Sequence, residues 1–218
     1  MKTLYAGMAV AAAAYLIGSL SFAILVCYAW KRDDIRKYGS GNAGMTNVLR
    51  VYGIAPAAVT LVGDFLKGIA AIIIGRKIFS LFGITEFDSE YIAGLFVLLG
   101  HIFPLYFKFK GGKGVLTNLG IMLMINYKVF LITIAIMLVA IAITRMMSVG
   151  SIVGAMIYPI VTWIMIGSDT IQLKMDILFA AIFGLLVIVM HRNNIKNILN
   201  GTERKIWKTK KEKNIKNN

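Results

Sequence analysis

The chain alternates long apolar runs with short stretches rich in glycine, asparagine and basic residues. Leu4 to Trp30 contains no charged residue and exceeds the ~20 residues that a helix needs to cross a hydrocarbon core. It predicts a first transmembrane helix. A cleaved signal peptide fits less well, because the run is too long for an h-region and no small-x-small site closes it before Lys31 and Arg32. Further apolar segments run at about Pro56 to Ile74, Tyr91 to Phe107, Val115 to Ile125, Val129 to Thr144, Val149 to Gly167 and Ile177 to Met190. The segment from Val115 is too short to span unaided. Only Asn126, Tyr127 and Lys128 separate it from the next run, so it reads as one arm of a tight hairpin. The expected count is about seven spans, or five if that hairpin is read otherwise. With no internal repeat and no linker, the expected organisation is one transmembrane domain over 1–203 and a tail over 204–218.

Composition agrees with this pattern. Of 218 residues, 58% are hydrophobic and 16% charged, against about 25% charged in ordinary soluble domains. Disorder is excluded, and the fold class is an all-α, polytopic membrane bundle. The lone Cys27 lies in an apolar run, which removes a disulfide scaffold and leaves an unactivated thiol. A net charge of +14 would point to nucleic acid in a soluble protein, but here its distribution matters more. The stretches 31–55 and 108–114, Arg145 and the tail after Met190 hold 18 of the 24 Lys and Arg residues. The positive-inside rule places that side in the cytoplasm, with the N-terminus outside and the C-terminus inside. No nucleic acid partner is expected, and the tail, with six Lys among its last 15 residues, reads as a solvated or lipid-surface segment. Three polar stretches then face the cytoplasm and can converge on one site.

The first runs Tyr38-Gly39-Ser40-Gly41-Asn42-Ala43-Gly44-Met45-Thr46-Asn47-Val48-Leu49-Arg50. Its glycines satisfy G-x-G-x-x-G, but the dinucleotide fingerprint follows a strand in a soluble βαβ unit, and here Asp33-Asp34-Ile35-Arg36-Lys37 precedes it. A nicotinamide site is rejected. Gly39, Gly41 and Gly44 still permit close backbone approach and positive φ, so that successive N–H groups can form an anion nest. Ser40, Asn42, Thr46 and Asn47 add neutral donors, and Arg50 adds the charge. A flexible turn is the plainer reading, yet these five side chains within 12 residues are many for a connector.

The second stretch, Gly100 to Val115, ends in Gly111-Gly112-Lys113-Gly114. It lacks the Walker A spacing, since Phe107 stands at the first glycine and Gly114 at the Ser/Thr. Opening a helix at Val115, it would nonetheless set N–H groups and the positive end of a helix dipole beside Lys113, which suits a phosphate ester. Lys108 and Lys110 read as lipid-facing cations. The third stretch, His191 to Glu203, begins where the last span ends. His191 and Asn194, at i and i+3, share a face on a continuing helix. Asp64 and Lys67, also at i and i+3, lie inside a span, where charges need partners; they read as a structural ion pair near the cytoplasmic site. His101 reads as a packing or hydrogen-bonding residue.

Absences narrow the chemistry. No G-x-S-x-G elbow exists, because Gly150-Ser151-Ile152-Val153-Gly154 places its Ser second. No H-x-x-x-x-D pair occurs, and two His and one Cys cannot build a metal cluster. No covalent intermediate, metal or cofactor is expected. A small-anion transporter is the alternative class, although the candidate residues gather at one membrane face rather than at the midplane.

Three separate stretches together resemble one family, the bacterial acyl-phosphate-dependent glycerol-3-phosphate acyltransferases of the PlsY type. They are GSGNAGMTNVLR (Gly39 to Arg50), GHIFPLYFKFKGGKGVLTNLG (Gly100 to Gly120) and HRNNIKNILNGTE (His191 to Glu203), with DFLKG (Asp64 to Gly68) as a fourth. The resemblance implies acyl transfer from a fatty acyl phosphate to the 1-hydroxyl of sn-glycerol 3-phosphate, giving lysophosphatidic acid and phosphate in a bacterial plasma membrane. It implies that Ser40, Arg50, Lys113, His191 and Asn194 are essential, that Gly111, Gly112 and Gly114 border glycerol 3-phosphate, and that Glu203 serves structural integrity. Two departures stand out: Leu116 where a small residue is expected and Asn193 where a Glu is common. An acyl phosphate is already activated, so such an enzyme needs to hold two anions and orient one hydroxyl without building a nucleophile.

Overall fold

The computed structural model describes residues 1–85, 88–166 and 170–206, and the basic tail from 207 on lies outside them. Among the described residues the regular elements are all helical: α1 (Lys2–Gly18), α2 (Phe22–Lys31), α3 (Met45–Tyr52), α4 (Ile54–Leu81), α5 (Ser89–Ile102), α6 (Val115–Ile125), α7 (Tyr127–Thr144), α8 (Met147–Ile166), α9 (Ile171–Met190) and α10 (Arg192–Leu199). Six stretches are long and apolar enough to cross a membrane, counting α1 and α2 as one, and α6 is a shorter apolar helix. The protein is therefore a multi-pass membrane bundle with the apolar segments where hydropathy put them.

Three boundaries differ from expectation, each for a local reason. The Leu4 to Trp30 run is two helices, broken at Ser19-Leu20-Ser21. The break releases backbone carbonyls inside an apolar region, where an unsatisfied polar group is costly. The Lys67 ammonium donates to the carbonyls of Gly18 and Leu20 at 3.1 and 2.8 Å. Ser19 turns its hydroxyl back onto the Tyr15 carbonyl at 2.9 Å and accepts the Leu105 N–H at 3.1 Å. Hydropathy cannot register such a break, because every residue in it except the serines is apolar. Second, α4 continues past Ile74 through Arg76 and Lys77. Arg76 pairs with Glu90 at 2.6 Å and donates to the Met124 carbonyl at 2.9 Å. Third, α9 starts before Ile177, where the Thr170 hydroxyl accepts the Leu173 N–H at 3.2 Å, an N-cap that brings Lys174 and Asp176 into the helix.

Helix crossings use glycine, as expected where van der Waals contact rather than hydrophobic transfer holds helices together. A Cβ on Gly18 would overlap the Val97 backbone and one on Gly100 the Tyr15 carbonyl, which brings α1 and α5 together. Gly68 and Gly120 do the same between α4 and α6. The chain divides into two compact units, Met1–Phe130 and the remainder from Leu131. The first holds the Gly39–Arg50 and Gly111–Gly114 stretches, and the second holds the His191–Glu203 stretch.

Candidate active site

In the first unit, the segment after α2 is held down by its apolar residues. Ile35, Ala43 and Val48 are buried with Ala23, Ile24 and Cys27 of α2 and Ala57 of α4. This leaves the polar residues between them to decide the loop's shape. Asn47 does most of that: it is 2% exposed, and its amide nitrogen lies 3.0, 3.1 and 3.3 Å from the carbonyls of Tyr38, Asn42 and Ile35. Its oxygen accepts the Ser40 N–H at 2.9 Å. Asn47 therefore shapes the loop instead of offering a donor to a ligand, a correction to its expected role. Gly39 is needed for the same reason. Its φ is +62°, and a Cβ there would stand on the Asn47 oxygen. Around this hub Gly41 closes a turn onto the Tyr38 carbonyl at 2.9 Å. Ser40 is exposed, Asn42 and Thr46 are half-buried, and Arg50 lies exposed on the last turn of α3. Gly44 opens α3 with no side-chain cap.

The second stretch is built from α5 outward. After Phe103 the chain makes a short turn, Leu105–Phe107, then passes through two successive left-handed residues, Lys108 and Phe109, with φ of +58° and +57°. It returns with Gly111 and Gly112 donating their N–H groups to the carbonyls of Ile102 and His101 at 3.1 and 3.2 Å. A side chain at Gly112 would collide with the His101 ring and the Ala43 carbonyl, so the two glycine stretches meet at Ala43 and Gly112. Gly114, with φ +83°, caps α6 without a side-chain contribution. Lys113 is half-buried between these glycines.

A residue that sequence reasoning passed over ties the two stretches together. Arg36 donates from Nη1 to the carbonyls of Phe107 and Lys110 at 2.7 and 2.9 Å. Its Nε and Nη2 face Asp34, with Nη2 2.6 Å from Oδ2. That hydrogen bonding and the guanidinium charge hold the Asp34 carboxyl below its usual range despite partial burial. The signal in the sequence is the charged run Asp33-Asp34-Ile35-Arg36-Lys37 beside a glycine loop, whose spacing does not say which carbonyls its arginine reaches.

Below the Gly112 contact lies a buried polar group. Lys67 Nζ is 2.8 Å from Asp64 Oδ1, both nearly inaccessible, and His101 Nδ1 is 3.6 Å from that oxygen. Thr117 of α6 donates its hydroxyl to the Asp64 carbonyl at 3.1 Å. The ion pair expected from spacing is present, and its lysine also caps the α1–α2 break.

In the second unit, His191 is not inside a continuing helix. It is the hinge between α9 and α10, with φ −95° and ψ 9°. Its ring is buried, with Nδ1 2.8 Å from the Val187 carbonyl. A carbonyl only accepts, so Nδ1 carries the hydrogen and the lone pair of a neutral ring is on Nε2. Asn194 instead donates its amide to Glu203 Oε1 at 2.7 Å, and Ser148 donates its hydroxyl to the same oxygen at 2.6 Å. With the Ile206 N–H donating to the Arg145 carbonyl at 2.8 Å, Glu203 fastens the segment after α10 to the start of α8.

The sequence model of the glycerol-3-phosphate acyltransferase family matches residues 8–201. The chain is 42% identical to a glycerol-3-phosphate acyltransferase of Clostridioides difficile over 201 residues, 92% of this chain and 96% of that one. It is 37% identical to one of Nitrosomonas eutropha over 196 residues, 90% and 95% of the two chains. Among solved structures it superposes on PlsY, an integral membrane glycerol 3-phosphate acyltransferase, in its glycerol 3-phosphate form. The TM-score is 0.80 at 31% identity, covering 91% of this chain and 94% of that one. The lysophosphatidic acid form gives 0.77 at 30% identity, with the same coverage. The chain belongs to the glycerol-3-phosphate acyltransferase family.

Proposed function

We propose that this protein transfers a fatty acyl group from an acyl phosphate to the 1-hydroxyl of sn-glycerol 3-phosphate, at the cytoplasmic face of a bacterial plasma membrane. The observation that carries this reading is the meeting of two glycine stretches at Ala43 and Gly112 within one unit. Helices α3 and α6 both open beside that contact on glycines that no side chain caps. Helix N-termini favour anions through their amides and dipole, and two such ends match the two phosphates the reaction brings together. Lys113 and Arg50 supply cationic charge, Ser40 and Thr46 hydroxyl donors, and Gly39, Gly41, Asn42 and Gly44 the backbone of the first anion site.

The substrate hydroxyl oxygen bonds to the acyl carbon while the bond from that carbon to the phosphate oxygen breaks, releasing inorganic phosphate. The hydroxyl proton goes to a bound phosphate, whose second pKa near 6 lets it accept a proton at neutral pH. In this reading His191 and Asn194 are needed for the reaction without supplying its base, and Glu203 keeps Asn194 in place. What supports substrate assistance is that the only carboxylate in the third stretch, Glu203, contacts Asn194 and Ser148, while His191 Nδ1 is directed to a backbone carbonyl.

The decisive test supplies purified protein in detergent with glycerol 3-phosphate and either palmitoyl phosphate or palmitoyl-coenzyme A. The expected outcome is lysophosphatidate and phosphate in equal amounts from the first donor alone. Turnover from the thioester alone would overturn the donor. No turnover from either, together with glycerol 3-phosphate uptake in proteoliposomes, would establish a transporter instead.

A further inference from the structure

The turn that delivers the Gly111–Gly114 stretch is strained, and one side chain from the neighbouring stretch holds it. Lys108 and Phe109 both adopt left-handed backbone conformations, which crowd Cβ against the carbonyl in any residue but glycine and are genuine outliers for a bulky one. Two such residues in succession persist only where surrounding structure imposes them. The local hydrogen bonds account for part of it: Phe107 and Phe109 both donate to the Pro104 carbonyl at 3.2 and 3.0 Å, a helix-end pattern that suits a left-handed Lys108, while beyond the second left-handed residue the Lys110 N–H is 3.4 Å from the Phe107 carbonyl. The carbonyls on either side of the strained pair, Phe107 and Lys110, are the two that receive the Arg36 guanidinium, at 2.7 and 2.9 Å. Arg36 is fixed in turn by Asp34, which accepts from Nε and Nη2 and also from the Arg36 backbone N–H at 2.9 Å. Arg36 thus bridges both ends of the turn through Nη1 while Nε and Nη2 stay on Asp34, a division that the planar, rigid set of guanidinium donors allows. Phe107 packs against the apolar cluster that seats Ile35, so the fork and its targets rest on one support.

We infer that Arg36, oriented by Asp34, is a positioning residue that clamps the Lys108–Phe109 turn and so sets where Lys113 and the α6 N-terminus stand relative to the Ser40–Arg50 loop. This rests on the reading of those two stretches as the anion sites of the acyltransferase. On the Lys108–Phe109 turn Arg36 touches backbone carbonyls only, and its effect on chemistry is through the place of Lys113. Displacement of such a group by about an ångström is enough to change efficiency by a power of ten or more.

The test combines kinetics with hydrogen exchange, which needs no activity. Arg36→Gln is expected to raise KM for glycerol 3-phosphate about tenfold, with KM for the acyl phosphate changed less than threefold. It is also expected to accelerate amide exchange over residues 109–112 without accelerating it in α5. Asp34→Asn, which leaves the carbonyl contacts in place but loosens the fork, should move both readouts the same way by less; it serves where Arg36→Gln yields too little folded protein. The distinguishing arm is Lys108→Gly with Phe109→Gly. Glycine takes the left-handed conformation without strain, so adding this pair to Arg36→Gln should recover at least a third of the lost affinity, while alone it leaves KM near wild type. Unchanged exchange at 109–112 in Arg36→Gln, an equal rise in both KM values, or no recovery with the glycine pair would each overturn the clamp. Absence of turnover in the wild-type protein would strike the acyltransferase reading alone, because the exchange result decides the clamp independently.

Discussion

At the scale of single residues, side chains of the same chemical type turn out to do different things. Asn47 and Asn42 both looked like neutral donors, yet Asn47 is the buried hub of the first loop, while the Asn42 carbonyl is one of its acceptors. Sequence spacing could suggest an anion site here, but it could not say which asparagine builds the site and which borders it, because that depends on contacts from residues 5 to 12 positions away. Asn47→Ala removes the side-chain bonds to three carbonyls and to the Ser40 N–H, worth about 1 kcal/mol each, while the carbonyls keep their backbone donors. The expected result is loss of the loop, read as rapid proteolysis after Lys37 together with at least about a tenfold fall in kcat/KM. Asn42→Ala should leave the proteolytic pattern unchanged. By contrast, Lys113→Ala and Arg50→Ala should each lower kcat/KM by about 10- to 100-fold, the loss of a charge-assisted contact of ~1.5 to 3 kcal/mol, with folding intact. Wild-type kinetics in either would remove that residue from the phosphate sites. For His191, the Val187 contact makes the choice of variant informative. Asn at 191 can still donate near the Nδ1 position, and Gln reaches toward the Nε2 position, but neither accepts a proton. Retention of more than about a tenth of the turnover in both is expected under substrate assistance, since a general base contributes ~10²- to 10⁴-fold. A loss of several powers of ten would make His191 the base.

At the scale of elements, hydropathy located the apolar segments and failed only where hydrogen bonding overrides it. The α1–α2 break is invisible to a hydrophobicity count because its cause, Lys67, lies nearly 50 residues downstream on α4. The Asp64-x-x-Lys67 spacing did reveal a buried pair, though not the helix break that the lysine also caps. This dual role makes a specific stability prediction. Lys67→Met leaves Asp64 as an uncompensated buried charge and two carbonyls without their donor, and removal of one partner of a buried pair costs ~3 to 5 kcal/mol. Adding Asp64→Leu removes the stranded charge but not the stranded carbonyls, so the double variant should melt between Lys67→Met and wild type. A double variant as stable as wild type would show that the carbonyls never needed the ammonium. The loop before α3 makes a pH prediction. Arg36 holds the Asp34 carboxyl below its ordinary value, so the unfolded state binds more protons in the acidic range. The stabilisation is then fully present above the unfolded value of about 4 and fades as pH falls through the lower folded value. Exchange protection at 109–112 should accordingly be flat from pH 8 to pH 5 apart from the intrinsic exchange rate. A fall in protection centred near pH 6 would mean that a group other than Asp34 governs the clamp.

At the scale of the whole molecule, the element that decides topology is the one least able to cross a membrane. Among the described residues six stretches qualify as spans by length and composition, and an even number would return both termini to one side. The positive-inside rule predicts an odd number instead, since it assigns one side to Lys108, Lys110 and Lys113 before α6 and to the nine Lys and Arg residues after Met190, and the other side to Lys128. On that expectation α6 carries the chain across, although its 11 residues rise only ~16 Å at 1.5 Å each, against a hydrocarbon core of ~30 Å. What permits a short crossing is that α6 is not a lipid-facing helix. Thr117 to Met122 are buried, and Gly68 and Gly120 bring its backbone against α4. Irregular backbone at membrane depth is tolerated where protein covers it, which fits the glycine turn at one end of α6 and Asn126 at the other, whose side chain caps α7 by accepting the N–H groups of Lys128 and Val129 at 3.0 and 3.2 Å. Single cysteines at the exposed positions 110, 128 and 205, in a Cys27→Ser background, test this directly with a membrane-impermeant maleimide. The serine hydroxyl can bond back to the preceding helical turn, so the background should fold. In intact cells the reagent should label position 128 alone, and in inside-out vesicles positions 110 and 205 alone. Labelling of 110 and 128 from the same side would show that α6 re-enters without crossing. The glycine stretch ahead of it would then face the same compartment as Lys128, and if that side is the outer one, a cytoplasmic site for glycerol 3-phosphate could not include Lys113.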